Sequence, residues 1–171
     1  MRTPAACLLL LLAACSSPDP QDPRILEAAA SYALWGRVDE TARLVITDCL
    51  APPVPPPQLS ASRDPQTHGR KLYYLFAKDN LAYHHAKELD QPVGQVVVKE
   101  SWVPGTEKVK GPLFLMIKTG DADSDAGWIY ATATPDGKTV TSAGKIASCM
   151  ECHQGAKRDR MFGLKSCAAP D

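Results

Sequence analysis

The sequence has no surplus of charge of either sign. Its 19 Lys and Arg residues balance 19 Asp and Glu. That balance gives no reason to expect a nucleic acid or a polybasic contact with a membrane surface. There is no internal repeat, so a solenoid or propeller array is not expected. Long apolar runs are also scarce. Residues 8–12 and their neighbours fall far short of the ~20 residues that cross a bilayer, and no second run of spanning length follows.

What the N-terminal stretch does carry is an export pattern. In "MRTPAACLLLLLAACSSPDP", Arg2 supplies a positive start, residues 8–12 an apolar stretch, and Ala13 and Ala14 the small residues before Cys15. "LAAC" resembles the lipobox of bacterial lipoproteins, in which the cysteine becomes the first mature residue and is diacylated. Two acyl chains anchor stably where one binds only marginally. No Asp directly follows Cys15, which by the same resemblance points to the outer membrane, facing the periplasm. The alternative is an ordinary cleaved signal that happens to contain a cysteine. On the lipoprotein reading, residues 1–14 are a signal peptide and 15–23 a Pro-rich polar tether. Residues 24–66 form a helical and Pro-rich N-terminal extension, and 67–171 the main domain.

Pattern along the chain predicts α+β: an antiparallel sheet of about five strands packed against N-terminal helices and a C-terminal helix. "PRILEAAASYALW" and "DETARLVITDCL" read as helices separated by Gly36. "APPVPPPQLSASRDP" can be neither helix nor central strand. "RKLYYLFA", "QVVVKESW", "PLFLMIKT" and "GWIYATAT" read as strands, with "PDGK" a turn into "TVT". "DNLAYHHAKEL" reads as a short helix opened by Asp79, with Leu81, His85 and Leu89 on one inward face. Residues 146–162 read as a final helix.

That final segment contains "CMECH". In a helical turn Cys149, Cys152 and His153 project to one side. Two cysteines and a following histidine are the signature of covalent haem attachment: the thiols join the haem edge and the imidazole binds iron. Zinc held by Cys149, Cys152, His153 and Cys167 is an alternative, as is a redox-active cysteine pair. Of the six cysteines, Cys7 lies in the signal peptide and Cys15 is the lipidation site. Cys49 and Cys167 are left over, and in an oxidising compartment they suggest a disulfide, with free thiols the alternative.

A late attachment motif after several strands does not fit the ordinary all-helical cytochromes c. "RKLYYLFA", "PVGQVVVKESW", "GPLFLMIKTG", "GWIYATATPDGKTV" and "ASCMECHQGAKRDRMFGL" together resemble the cytochrome P-460 family, whose relatives include cytochrome c′-beta. The resemblance covers about residues 67–164. It implies an exported, mostly β-sheet protein with one covalent haem c per chain, joined through Cys149 and Cys152, with His153 as the proximal iron ligand. It further implies an open distal site for hydroxylamine or nitric oxide, a cytochrome as redox partner, and a homodimer. In the hydroxylamine-oxidising members a lysine is cross-linked to the haem edge and a distal carboxylate moves protons. The candidates here are Lys87 and Glu100; a solvated lysine and a salt-bridged carboxylate are the bland readings. His85 and His84 are the distal candidates, against the alternative of satisfied structural histidines. Met116 and Met161 are further residues able to cap the iron, although a mid-strand methionine is more often core. Lys157, Arg158 and Arg160 read as a solvated helix face. The other function class is a six-coordinate electron-transfer cytochrome without catalytic activity.

Overall fold

The structure is a computed structural model that describes residues 22–38, 58–59, 71–105 and 109–163. The lipobox with Cys15, the second helix expected after Gly36, and both Cys49 and Cys167 lie outside the described residues.

Helix α1 spans Pro23–Ser31 and runs into a 3-10 turn at Tyr32–Leu34. Its start is written in the sequence. The Asp22 side chain accepts a hydrogen bond from the Arg24 amide at 2.9 Å, and Pro23 occupies the first helical position. Gly36, at φ +78°, then turns the chain.

Six strands follow: β1 (Gln58–Leu59), β2 (Leu72–Ala77), β3 (Val96–Trp102), β4 (Lys110–Lys118), β5 (Trp128–Ala133) and β6 (Val140–Gly144). They form one antiparallel sheet in chain order. The expected antiparallel sheet with helices is therefore present, and the described residues of the Pro-rich connector, Gln58 and Leu59, form an edge strand. Helix α2 (Asn80–His84) is capped by the Asp79 side chain, which accepts from the Ala82 amide at 2.9 Å. Helix α3 (Ala147–His153) carries the cysteine–histidine motif. Among the described residues no helix is long and apolar enough to cross a membrane.

Side chains alternate along each strand, so the sheet has two distinct faces. On the first, Ile25, Ala28 and Ala29 of α1 and Tyr32 of the 3-10 turn pack on Val96, Val98, Leu115, Ile117 and Ile129. Ile25 is fully buried, a gain of about 1.5–3 kcal/mol for one such side chain. Helix α1, read from sequence as part of an extension, thus shares the core of the sheet. On the second face, Tyr83 and Ala86 from the α2 region and Met161 after α3 pack with Ala77, Val97, Met116, Trp128 and Tyr130.

The "PDGK" turn joins β5 to β6 and leans on α1. Gly137 has φ +71° and is buried, and a Cβ there would lie 3.0 Å from the Ala29 carbonyl carbon and closer still to its oxygen. A left-handed L-residue costs roughly 1–2 kcal/mol and overpacking about 1–3 kcal/mol more. Gly137→Ala is expected to lower stability by about 2–5 kcal/mol on those figures. Gly137→Asn, which tolerates the backbone but not the contact, should recover little of it. Thermal unfolding measures both, and full recovery by Asn would show that the turn does not press on α1.

Two helix expectations are corrected. The face of Leu81, His85 and Leu89 points outward: Leu81 is 70% and Leu89 60% exposed, and His85 is exposed as well. The helix proper is only five residues, and Tyr83 and Ala86 are the buried positions. The final helix stops at His153 rather than running to 162. Gly155, a poor helix former, and two tight turns that return Gly155 N–H to Cys152 O and Ala156 N–H to His153 O end it.

Candidate functional site

Helix α3 lies on the second face of the sheet. Ile146, Cys149 and Met150 pack against the cluster of Val97, Met116 and Tyr130. Cys149 is half-buried, Cys152 exposed, and both are free thiols. Burial pushes the Cys149 thiol up from its ordinary value, against a smaller lowering by a hydrogen bond from Ser148.

His153 closes the motif. Its ring sits between Tyr130 and Phe162, at centroid distances of 5.7 and 5.4 Å. Nδ1 lies 2.7 Å from the Arg160 carbonyl oxygen. A carbonyl can only accept, so Nδ1 carries the hydrogen. Nε2 is left without a hydrogen bond among the described residues. Burial holds the imidazole below its ordinary pKa, although the Arg160 carbonyl bond opposes this. A neutral ring with Nδ1–H engaged and the Nε2 lone pair available is the form that binds a metal.

The Arg160 carbonyl is placed by an uncommon backbone. Asp159 and Arg160 both have positive φ, +43° and +61°, and each left-handed residue other than glycine costs roughly 1–2 kcal/mol. Buried polar contacts offset that cost. One Asp159 oxygen accepts from Lys118 Nζ and from Trp128 Nε1, and the other accepts from the Gln91 amide at 2.7 Å. Arg160 grips Asp125 through Nε and a terminal nitrogen at 2.8–3.0 Å, and the Tyr130 hydroxyl donates to the same carboxylate at 2.7 Å. Arg160 is therefore not part of a solvated helix face. Arg158 is on the surface, paired with Asp90 at 3.1 Å.

Burial alone would raise Asp125, but the Arg160 and Tyr130 hydrogen bonds and the Arg160 charge outweigh it and hold the carboxyl below its ordinary value of 3.8. A carboxylate lowered in the fold stabilises it above that ordinary value. The contribution fades as pH falls through the lowered pKa. The stability difference between the natural chain and Asp125→Asn is expected to be full at pH 7 and to shrink below about pH 4. Urea titrations across pH check this; a difference independent of pH would show that Asp125 titrates alike in the folded and unfolded chain.

Beside α3 the sheet is only partly covered. Strand pairing aligns Leu75, Lys99, Phe114, Thr132 and Ser142 in one row across β2 to β6 on the second face. All five are half-buried. The neighbouring row on that face, Ala77, Val97, Met116, Tyr130 and Gly144, is buried throughout. Lys99 stands in the half-covered row between Leu75 and Phe114, with Nζ 4.5 Å from the centre of the Tyr73 ring. Burial pushes its ammonium down to about 8, partly countered by the nearby Cys152 and Cys149 thiols.

The other residues singled out from sequence are scattered. Glu100 does share a face with Val96 and Val98, but that is the α1 face, opposite the motif. There it is buried, accepting hydrogen bonds from Tyr32 Oη, from Trp102 Nε1 at 2.9 Å and from Lys110 Nζ at 2.7 Å. Tyr32 is raised well above its ordinary pKa by burial and by Glu100. Lys87 is exposed, with its stem against Gly163 after the motif. His85 is exposed and 3.7 Å from Glu88. His84 is half-buried; its Nε2 is buried without a hydrogen-bond partner among the described residues, and burial followed by the neighbouring His85 lowers its pKa. Met116 and Met161 are core side chains.

Lys99, Asp125 and Asp159 had not been singled out. Lys99 had a signal: in "VVVKE" adjacent residues face opposite ways, so Lys99 and Glu100 cannot both line one site.

The donor set suits a covalently held haem. The motif thiols are free, the histidine is neutral with its outer nitrogen fixed, and a half-covered row lies beside them. Among the described residues no three His, Cys, Asp or Glu side chains converge into a metal-holding group. No protein-family model and no curated protein sequence matches the chain.

Proposed function

We propose that this chain is an exported, lipid-anchored c-type monohaem protein of the cytochrome P-460 kind. The observation that carries the reading is His153. It is neutral, its Nδ1–H is given to the Arg160 carbonyl, and its Nε2 is without a hydrogen bond among the described residues, one residue after a free Cys152. Cys149 and Cys152 would hold the haem through thioethers and His153 through its iron. Bound there, haem would supply an iron able to bind hydroxylamine or nitric oxide. The chain's own residues exclude water from one side: Tyr130 and Phe162 shield the imidazole, and Leu75 and Phe114 offer an apolar surface.

The amine best situated for the haem edge is Lys99, not Lys87, because Lys99 shares the sheet face and electrostatic neighbourhood of the motif cysteines. Glu100 is removed from the distal role by its position on the opposite face. The second reading, six-coordinate electron transfer, is favoured by one observation, the buried Nε2 of His84, without a partner among the described residues.

An absorption spectrum of the exported protein tests the reading. A Soret band that survives acid–acetone extraction is expected, with a high-spin ferric form. A protein with no extractable-resistant Soret band would falsify the haem reading. A low-spin spectrum that turns high-spin in His84→Ala would establish the electron-transfer alternative. If the ferrous Soret is far red-shifted, Lys99→Ala should return it to the ordinary position while Lys87→Ala leaves it unchanged. The reverse result would restore Lys87.

A further inference from the structure

We infer that Arg160 is a positioning residue for His153: clamped on Asp125, it holds its own carbonyl against Nδ1–H and so sets the tautomer and donor strength of the imidazole. The first half of this stands on the described geometry alone. The second half, the effect on iron, rests on the haem reading above.

A carbonyl's direction is fixed by the backbone dihedrals on either side of it. On its N-terminal side the Arg160 carbonyl is aimed by two consecutive left-handed residues, Asp159 and Arg160, neither of them glycine. A chain segment of this composition would not adopt such a backbone unaided. Two anchors on the sheet hold it there. Asp159 is tied to Lys118 on β4 and to Trp128 on β5. Arg160 is tied by its planar fork to Asp125, just before β5. Asp125 is in turn fixed by Tyr130, the side chain whose ring flanks His153. The histidine and its acceptor are therefore referred to the same strand, β5, by two separate routes. A generic turn would need only the Met161 N–H to Arg158 O bond at 2.8 Å. It would not need a partly buried bidentate ion pair.

The chemical consequence is definite. A firmly held acceptor on Nδ1–H makes Nε2 a better electron donor. In an iron-bound histidine that favours the ferric state and lowers the reduction potential. Loosening the clamp raises it.

The test uses the full-length chain in four variants. Arg160→Leu removes the fork, Arg160→Lys keeps the charge without the planar geometry, and Asp125→Asn removes the partner charge. Arg160→Gly keeps a backbone at ease with positive φ but has no clamp. Imidazole nitrogen NMR on each reads the His153 tautomer and the exchange of its Nδ1 proton, whether or not haem is present. Exchange about tenfold faster than in the natural chain is expected in Arg160→Leu, Arg160→Gly and Asp125→Asn, the factor a net hydrogen bond is worth. Arg160→Lys should fall between. With haem attached, the reduction potential should shift upward and the iron–histidine stretching frequency downward in the same order.

If Arg160→Leu fails to fold, Arg160→Lys and Asp125→Asn carry the comparison. Unchanged tautomer and exchange in folded variants overturn the inference. So does full retention in Arg160→Gly, because the backbone would then suffice without the clamp. Altered exchange with unchanged potential overturns the iron half only. Absence of covalent haem from the natural chain overturns the proposed function and leaves the NMR result to decide the clamp.

Discussion

Replacing Cys149 and Cys152 together by alanine is expected to leave a folded chain with no haem absorbance after acid–acetone extraction. On the proposed reading the loss should be complete, because each thiol would supply one of the two bonds that survive extraction. The fold should tolerate the change. Cys152 is exposed and Cys149 only half-buried, at the edge of a core cluster, so the cost is about 1 kcal/mol, the centre of the range for single substitutions. Each single variant retains one thioether and should keep part of the absorbance. His153→Ala differs in kind. The covalent bonds persist, but the ring that fills the space between Tyr130 and Phe162 is gone and the Arg160 carbonyl loses its donor. An altered ligand-field spectrum and a lower melting temperature are both expected. Haem that resists extraction from the double variant would show that attachment does not use this motif.

The largest stability effect is expected at Asp159. Its side chain is 5% exposed and faces Lys118, itself 12% exposed. Removing one partner of a buried ion pair leaves the other charge dry and unpaired, at about 3–5 kcal/mol. Asp159→Ala also orphans the Trp128 Nε1 and Gln91 amide hydrogens. A fall in melting temperature of roughly 10 °C or more follows for a domain of this size. Asp159→Asn separates the contributions. Asparagine accepts the left-handed backbone readily and keeps an acceptor oxygen, so it isolates the loss of charge. If Asp159→Ala melts within about 2 °C of the natural chain, the Lys118 pair carries little of the stability assigned to it.

The sheet was legible in the sequence because strand alternation and turn chemistry are local. "RKLYYLFA" separates Tyr74 and Phe76 from Tyr73 and Leu75, and "PDGK" announces its turn. The Asp79 cap was legible for the same reason. Which face of the sheet would receive α3 was not local. Glu100 and Lys99 are neighbours in sequence, and alternation says only that they part company. The packing of Ile146, Cys149 and Met150 decides which of them meets the motif. The spacing of Leu81, His85 and Leu89 misled because a 3.6-residue period has meaning only while the helix lasts, and α2 ends at His84. "KRDRM" gave least of all. Four charged residues after a helix read as a solvated face, and nothing local distinguishes that from a left-handed turn whose Asp and Arg are paired with Lys118 and Asp125. Those partners are 41 and 35 residues away, respectively.

The strand order has a consequence for how the chain reaches this state. Each strand from β1 to β6 pairs with the next one in sequence, so most pairings close short loops, and low contact order favours rapid folding. Helix α1 is the exception, because it docks on β3 and β4, far along the chain. Sheet assembly and helix docking are therefore separable in time. Substitutions at Ile25 or Ala28 should mainly speed unfolding, while those at Val98 or Leu115 should also slow folding.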